Sequence, residues 1–266
     1  MTKVLAVTNQ KGGVGKTTTT VNLAASLVAA KRKVLLVDLD PQGNATMGSG
    51  VDKKHLEKTI YHALVNNQSL ADICIASTSG GYDLVPANRD LAGAEVEMVG
   101  LQRREMRLRD LLEKIKEKYN FILLDCPPAL SLLTLNGLCA ANAVMIPMQC
   151  EYYALEGLSD LVNTIKRVRA NLNPVLEIEG LLRTMFDPRS ALTRQVSDQL
   201  RDHFGAKVYR TVIPRNVRLA EAPSFGKPVL YHDKQSKGSQ AYLALAGEIL
   251  NRCSATTDLK YEEKLI

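Results

Sequence analysis

Residues 3–39 read KVLAVTNQKGGVGKTTTTVNLAASLVAAKRKVLLVDL, and this stretch decides the fold. Lys3–Thr8 is a short apolar run rich in β-branched residues, which reads as a strand. Glycines follow at 12, 13 and 15. From Thr17 to Ala30, Val21, Leu23, Ala24, Leu27 and Val28 recur at helical spacing. Lys33–Leu39 is a continuous apolar run, of the kind buried on both faces of a parallel sheet. Strand, glycine loop, helix and strand in that order open a doubly wound α/β fold.

The alternation continues outward from that unit. Strands are expected at Tyr82–Pro86, Asn120–Asp125, Ala143–Pro147, Ile178–Met185 and Lys207–Ile213. Helices are expected at Leu101–Lys118, Leu155–Asn171, Ala191–His203 and Ser239–Leu250. In the first of these, Leu108, Leu111, Leu112 and Ile115 share one side. No internal repeat, low-complexity tract or linker interrupts the series. The expectation is therefore a single α/β domain over residues 1–252, with a mostly parallel sheet flanked by helices. The polar tail, residues 253–266, is expected to be an appendage or disordered.

The glycine loop carries chemistry. Glycines 12, 13 and 15 let the backbone bend tightly and turn several N–H groups toward one anion. The helix beginning near Thr17 adds the positive end of its dipole. Lys16 is placed to reach the outer phosphates of a nucleotide, and the Thr17 hydroxyl to ligate Mg²⁺. The loop departs from the usual G-x-x-x-x-G-K-[ST] pattern, because position 10 is Gln and a second lysine stands at 11. Lys11 could be a phosphate contact of its own chain, a solvated charge, or a contact made to another chain. Two expected strands end in carboxylates on the same side as the loop: Asp38 and Asp40 in VDLDPQGN, and Asp125 in NFILLDCPP. Asp125 is placed to hold Mg²⁺ through water, and Asp40 to orient or deprotonate an attacking water.

Bulk properties bound the partners. The chain of 266 residues carries a net charge of +6. Residues 166–218 hold eleven Lys/Arg against five Asp/Glu, an excess equal to that of the whole chain. A polyanionic partner on that segment is one reading; solvated helix faces are the other. No apolar run approaches the roughly 20 residues of a membrane span. The N-terminus runs straight into a strand, so neither a signal peptide nor a preceding domain is expected. The five cysteines (74, 126, 139, 150 and 253) form no C-x-x-C pair, which fits reduced thiols in the cytosol better than a metal site.

Taken together, KGGVGKTT at 11–18, DLDPQGN at 38–44 and LLDCPP at 123–128 resemble the deviant Walker A ATPases, which include the ParA/Soj, MinD and nitrogenase iron protein branches. DPRS at 187–190 and IPRNVRLAEAPSFGKP at 213–228 resemble the chromosomal ParA/Soj branch closely. The resemblance runs from about residue 2 to about residue 250. It implies a slow, Mg²⁺-dependent ATPase that forms a nucleotide-sandwich homodimer and moves chromosomes or plasmids. Gly12, Gly13, Val14, Gly15, Lys16, Thr17 and Thr18 would cradle ATP. Lys11 would cross the dimer interface to the partner subunit's phosphates, and Gly12 would keep that interface flat. Loss of Asp40 would trap the ATP dimer. Pro214 and Asn216 match positions that hold adenine, with Met185 packing nearby. Arg189 and Arg218, with Lys227 as a further candidate, would bind double-stranded DNA without sequence preference. A ParB-type centromere-binding partner would stimulate hydrolysis, and the protein would be cytoplasmic and nucleoid-associated.

Three other readings compete, and one of them, a relative that positions a cargo other than DNA, has the arginines at 189 and 218 against it. A MinD-like membrane switch would end in a basic amphipathic helix, whereas the tail DLKYEEKLI holds three acidic and two basic residues. A metabolic P-loop enzyme, such as an amide ligase or small-molecule kinase, would need an acceptor pocket with its own catalytic cluster.

Overall fold

A computed structural model describes residues 2–76, 79–152 and 154–262, with side chains up to residue 254. Eight strands form one sheet among the described residues: β1 (Lys3–Val7), β2 (Val34–Asp38), β3 (Ile75–Ala76), β4 (Asp83–Val85), β5 (Phe121–Asp125), β6 (Ala143–Gln149), β7 (Glu177–Phe186) and β8 (Val208–Pro214). Their spatial order is β3-β4-β2-β5-β1-β6-β7-β8. Every adjacent pair is parallel except β3 with β4.

The continuous apolar runs are explained by burial on two faces. Val4 and Ala6, Leu35 and Val37, and Ile122 and Leu124 pack into one apolar cluster. Their sequence neighbours Leu5 and Val7, Val34 and Leu36, and Phe121 and Leu123 pack into the other. Alternation of side chains across a strand therefore sends each second residue to an opposite helical layer. The Lys16–Ala29 helix covers the second face, and the Leu132–Ala140 and Ala154–Asn171 helices lie against the first. From β1 the chain moves to one side of the sheet for β2 and to the other for β6. That reversal opens a crevice at the C-terminal ends of the strands, where ligands bind in such sheets.

Several expectations need correction. The helix expected over Leu101–Lys118 is broken into a 3₁₀ turn at Arg104–Met106, an α-helix at Arg107–Glu113 and a second 3₁₀ turn at Lys116–Lys118. Arg103 has left-handed backbone, φ +51°, which stops the helix from starting earlier. Asn136, on a neighbouring helix, accepts from Leu108 N and donates to Arg104 O, fixing the start from outside. The expected apolar side survives this break, and Leu108, Leu111, Leu112 and Ile115 are all buried.

Between β2 and β5 lie helices at Asn44–Gly48, Ile60–Asn66, Leu70–Ile73 and Leu91–Glu97 that no sequence pattern suggested. The Leu132–Ala140 helix was also unexpected, because LLTLNGLCA is buried on most sides and shows no amphipathic period. The last helix runs Lys237–Glu262, so the boundary expected at residue 252 falls inside it and the backbone of most of the polar tail is helical. Residues 263–266 lie outside the described residues.

Candidate nucleotide-binding site

The loop Gln10–Gly15 leaves the C-terminal end of β1 and enters the Lys16–Ala29 helix. Gly13 and Gly15 have left-handed backbone, φ +74° and +86°, which a side chain would strain. Gly12 has no such backbone, and a Cβ there would meet nothing within 4 Å, so the isolated chain does not require glycine at 12. No side chain caps the helix start, and its first turn holds no acidic residue. Its N–H groups and positive dipole end are thus left for an anion.

Neighbouring strands brace this loop. Thr184 of β7 donates to Val14 O at 2.8 Å. Gln149, at the end of β6, donates to Met185 Sδ at 2.7 Å and lies 3.5 Å from Gly13 O. Met185 itself has φ +48°. Asn9 donates to Pro147 O and accepts from Lys11 N. Val14 is buried against the body of the protein.

Lys16 is only 7% exposed. Its ammonium donates to Lys11 O at 3.0 Å, and among the described residues it forms no ion pair. Burial pulls its pKa below the ordinary lysine value, while Asp125 and Asp40 pull it back up. A buried cation with one neutral acceptor is short of a counter-charge, and a bound polyanion would supply it.

Asp125 accepts from Thr17 Oγ1 at 2.7 Å and from Thr20 Oγ1 at 3.0 Å. It stands in register beside Asp38 across the β2–β5 pair. Both are completely buried. Burial is the main force raising both carboxyls above their ordinary range; Asp38 adds to the rise at Asp125, and Asp40 to that at Asp38. The Asp125 carboxyl fits a divalent cation, whose charge would reverse the effect. Thr17 and Asp125 are the residues that would hold it. Among the described residues, no group of three or more His, Cys, Asp or Glu could hold a metal on its own.

Asp40 lies just beyond Asp38 and is half-buried, with its Oδ1 accepting from Gln42 N at 2.9 Å. Lys11 is at the exposed tip of the loop, where its Nζ pairs with Glu151 Oε2 at 2.5 Å. Each side chain is about half exposed. Thr18, in the first helical turn, accepts through its carbonyl from Asn22. Asp125 and Asp40 thus both lie near enough to act on the Lys16 charge, and Gln149 links Met185 to the loop. Pro214 pairs with Phe186 across β7 and β8, one residue from Met185. Asn216 caps the Val217–Glu221 helix by accepting from Leu219 N.

The basic candidates are all exposed and two are already paired. Arg189 grips Asp187 with two bonds of 2.9 Å. Arg218 contacts Glu221 at 2.8 Å and Asp233 at 3.3 Å. Lys227 lines a shallow depression with Phe225, Gly226 and Tyr231.

Sequence reasoning missed Thr20, Gln149, Glu151 and Thr184. Thr20 was within reach of it, since it stands three residues after Thr17 on the same helical face. The other three sit near the C-terminal ends of β6 and β7, where side-chain direction depends on the sheet.

Comparison with known proteins finds relatives over nearly the whole chain. A family model described as an AAA domain matches residues 2–178. The sporulation initiation inhibitor protein Soj of Bacillus subtilis is 53% identical over 249 residues, covering 94% of this chain and 98% of Soj. The chromosome partitioning protein ParA of Caulobacter vibrioides is 51% identical over 252 residues, covering 94% of each chain. Among solved structures, cobyrinic acid a,c-diamide synthase from Mycobacterium smegmatis, with bound ADP and magnesium, superposes with a TM-score of 0.85 at 37% identity, covering 96% of this chain and 97% of that one.

Proposed function

This chain belongs to the Soj/ParA family of chromosome-partitioning ATPases, and from that premise we propose that it is a DNA-bound switch set by ATP and Mg²⁺. The observation that carries the reading is the buried Lys16 ammonium, which has no ionic partner among the described residues, at the start of an uncapped helix. Residues 11–18 receive the phosphates of ATP. Mg²⁺, held by Thr17 and through water by Asp125, neutralises phosphate charge. Asp40 orients the attacking water. Pro214, Asn216 and Met185 border the adenine.

Lys11 acts across a homodimer. Two nucleotide-bearing faces repel each other, and one added cation from each side offsets that repulsion. The open space around Gly12 supports a role that only a second chain would reveal. Hydrolysis removes the charge that Lys11 meets, and the dimer loosens. Arg189, Arg218 and Lys227 bind double-stranded DNA through its phosphates, with affinity falling by a slope of about 0.9 per contact on a log–log salt plot. Dimerisation doubles those contacts on one particle, so nucleotide state sets residence on the nucleoid. A ParB-type partner accelerates hydrolysis. Among the described residues no helix is long and apolar enough to cross a membrane.

The test is assembly. With ATP the wild-type chain forms dimers on a sizing column, while Lys11→Ala and Lys16→Ala stay monomeric. ATP-dependent dimers of Lys16→Ala would count against the loop assignment, and those of Lys11→Ala against its role in trans. A second reading, amide formation on an organic acid, draws support from the likeness to the diamide synthase. It predicts ATP turnover that rises with an acid and an amine donor rather than with DNA and a ParB-type protein.

A further inference from the structure

The segment that carries Asp40 is held by an internal clamp. The last backbone bond tying it to the sheet is Leu39 N to Asp125 O, at 3.0 Å. Beyond that bond the chain depends on the Asp38 carboxylate. Its Oδ1 accepts from Asp40 N at 3.1 Å. Its Oδ2 accepts from Thr46 N at 2.8 Å and from Thr46 Oγ1 at 2.7 Å. The Thr46 hydroxyl is used twice, since it also accepts from Ala87 N at 2.9 Å, just past β4. Asp38 and Thr46 are both completely buried, so no water competes for these bonds.

A separate feature seats the same segment on the same neighbour. Gly43 has left-handed backbone, φ +58°, and a Cβ there would lie 2.7 Å from Ala87 O. Its N–H closes a turn on Asp40 O at 2.8 Å. The turn 40–43 is therefore fixed at its start by Asp38, at its end by Thr46, and along its back by Ala87.

We propose that Asp38 and Thr46 are positioning residues for hydrolysis, acting by holding the Asp40 turn in one place against the sheet. This rests on the reading of Asp40 as the group that orients water. Asp38 does not touch the substrate in this scheme. Its oxygens are occupied by three donors from the 40–46 segment. The Thr46 methyl fills space, and its hydroxyl carries the function. Phosphate binding belongs to a different loop, so loosening the clamp lowers turnover and spares ATP affinity.

The experiment measures ATP turnover and ATP affinity for the whole chain with Mg²⁺, alongside melting curves. The variants are Asp40→Ala, Thr46→Val, Thr46→Ser and Thr46→Ala. Thr46→Val is expected to lower kcat about 10–100-fold, the range typical of lost supporting bonds, with ATP affinity within about threefold of wild type. Thr46→Ser, which keeps the hydroxyl, is expected to restore kcat to within about threefold of wild type. Should Thr46→Val fail to fold, Thr46→Ala takes its place with the same expected loss. Normal turnover in the hydroxyl-free variant overturns the proposal, and so does Thr46→Ser losing as much as its hydroxyl-free counterpart. Asp40→Ala separates this from the parent reading: if Asp40→Ala hydrolyses ATP normally, the role of Asp40 itself falls. If Asp40→Ala is inactive while the hydroxyl-free variant is normal, only the clamp falls.

Discussion

Glu151→Gln tests what holds the second lysine before assembly. In the isolated chain, Lys11 Nζ is 2.5 Å from Glu151 Oε2, with both side chains about half exposed. A lysine bound to its own chain must leave that partner to reach phosphates on another. An exposed pair of this kind contributes up to about 1 kcal/mol. Two such pairs open per dimer, so assembly costs up to about 2 kcal/mol more than it would with free lysines. Replacing the carboxylate with an amide removes that cost and lowers the dimer dissociation constant by about 2–30-fold. Sedimentation velocity with ATP measures it, in an Asp40→Ala background so that turnover does not drain the dimer. The gain shrinks in high salt, where exposed charges are screened. In a Lys11→Ala background, which stays monomeric, Glu151→Gln is expected to restore no dimer, so the gain runs through this one pair. An unchanged dissociation constant with Lys11 present, or dimers regained without Lys11, would refute the reasoning.

Asp40→Ala forms ATP dimers and releases no phosphate; ordinary phosphate release would take Asp40 out of the mechanism. Asp187→Asn, and Glu221→Gln together with Asp233→Asn, free Arg189 and Arg218 from their carboxylates and tighten binding to an arbitrary DNA duplex, measured by fluorescence anisotropy; equal or weaker binding would show that these arginines do not meet phosphate. Arg218→Glu dimerises normally and loses DNA, and retention of DNA at moderate salt in the same assay would remove the basic surface. In EDTA, melting temperature falls as pH rises from the ordinary carboxylate range toward neutrality. Folded Asp38 and Asp125 hold protons that the unfolded chain gives up near 3.8, so their contribution is complete below that value and lost as pH passes through the raised ones. Asp38→Asn flattens the slope, and an unchanged slope would discount the pair.

The loop, the strands and the two acidic strand ends were legible because each is written locally. Lys3–Thr8 and Lys33–Leu39 could be read as strands because burial on both faces demands unbroken apolar runs. Gly13 and Gly15 are needed for left-handed backbone that short-range sequence announces. The rest depended on distant partners. The helix around Leu108 starts where Asn136 fixes it, some 28 residues downstream. Thr46 looks like any polar residue of a short helix until Asp38 and Ala87 close around it. Lys11 was conspicuous in sequence, but its engagement by Glu151, 140 residues away, was not. The charge excess over 166–218 was visible, yet Asp187, two residues from Arg189, was counted there without being paired, and Glu221 and Asp233, which hold Arg218, lie beyond the window.

The central claim is that nucleotide state governs DNA binding through assembly. Its most direct test is binding of the chain to an arbitrary DNA duplex with ATP, with ADP and without nucleotide, at two salt concentrations. The account predicts binding with ATP alone, weakened by salt in proportion to the phosphates contacted. Equal binding in all three states would contradict it.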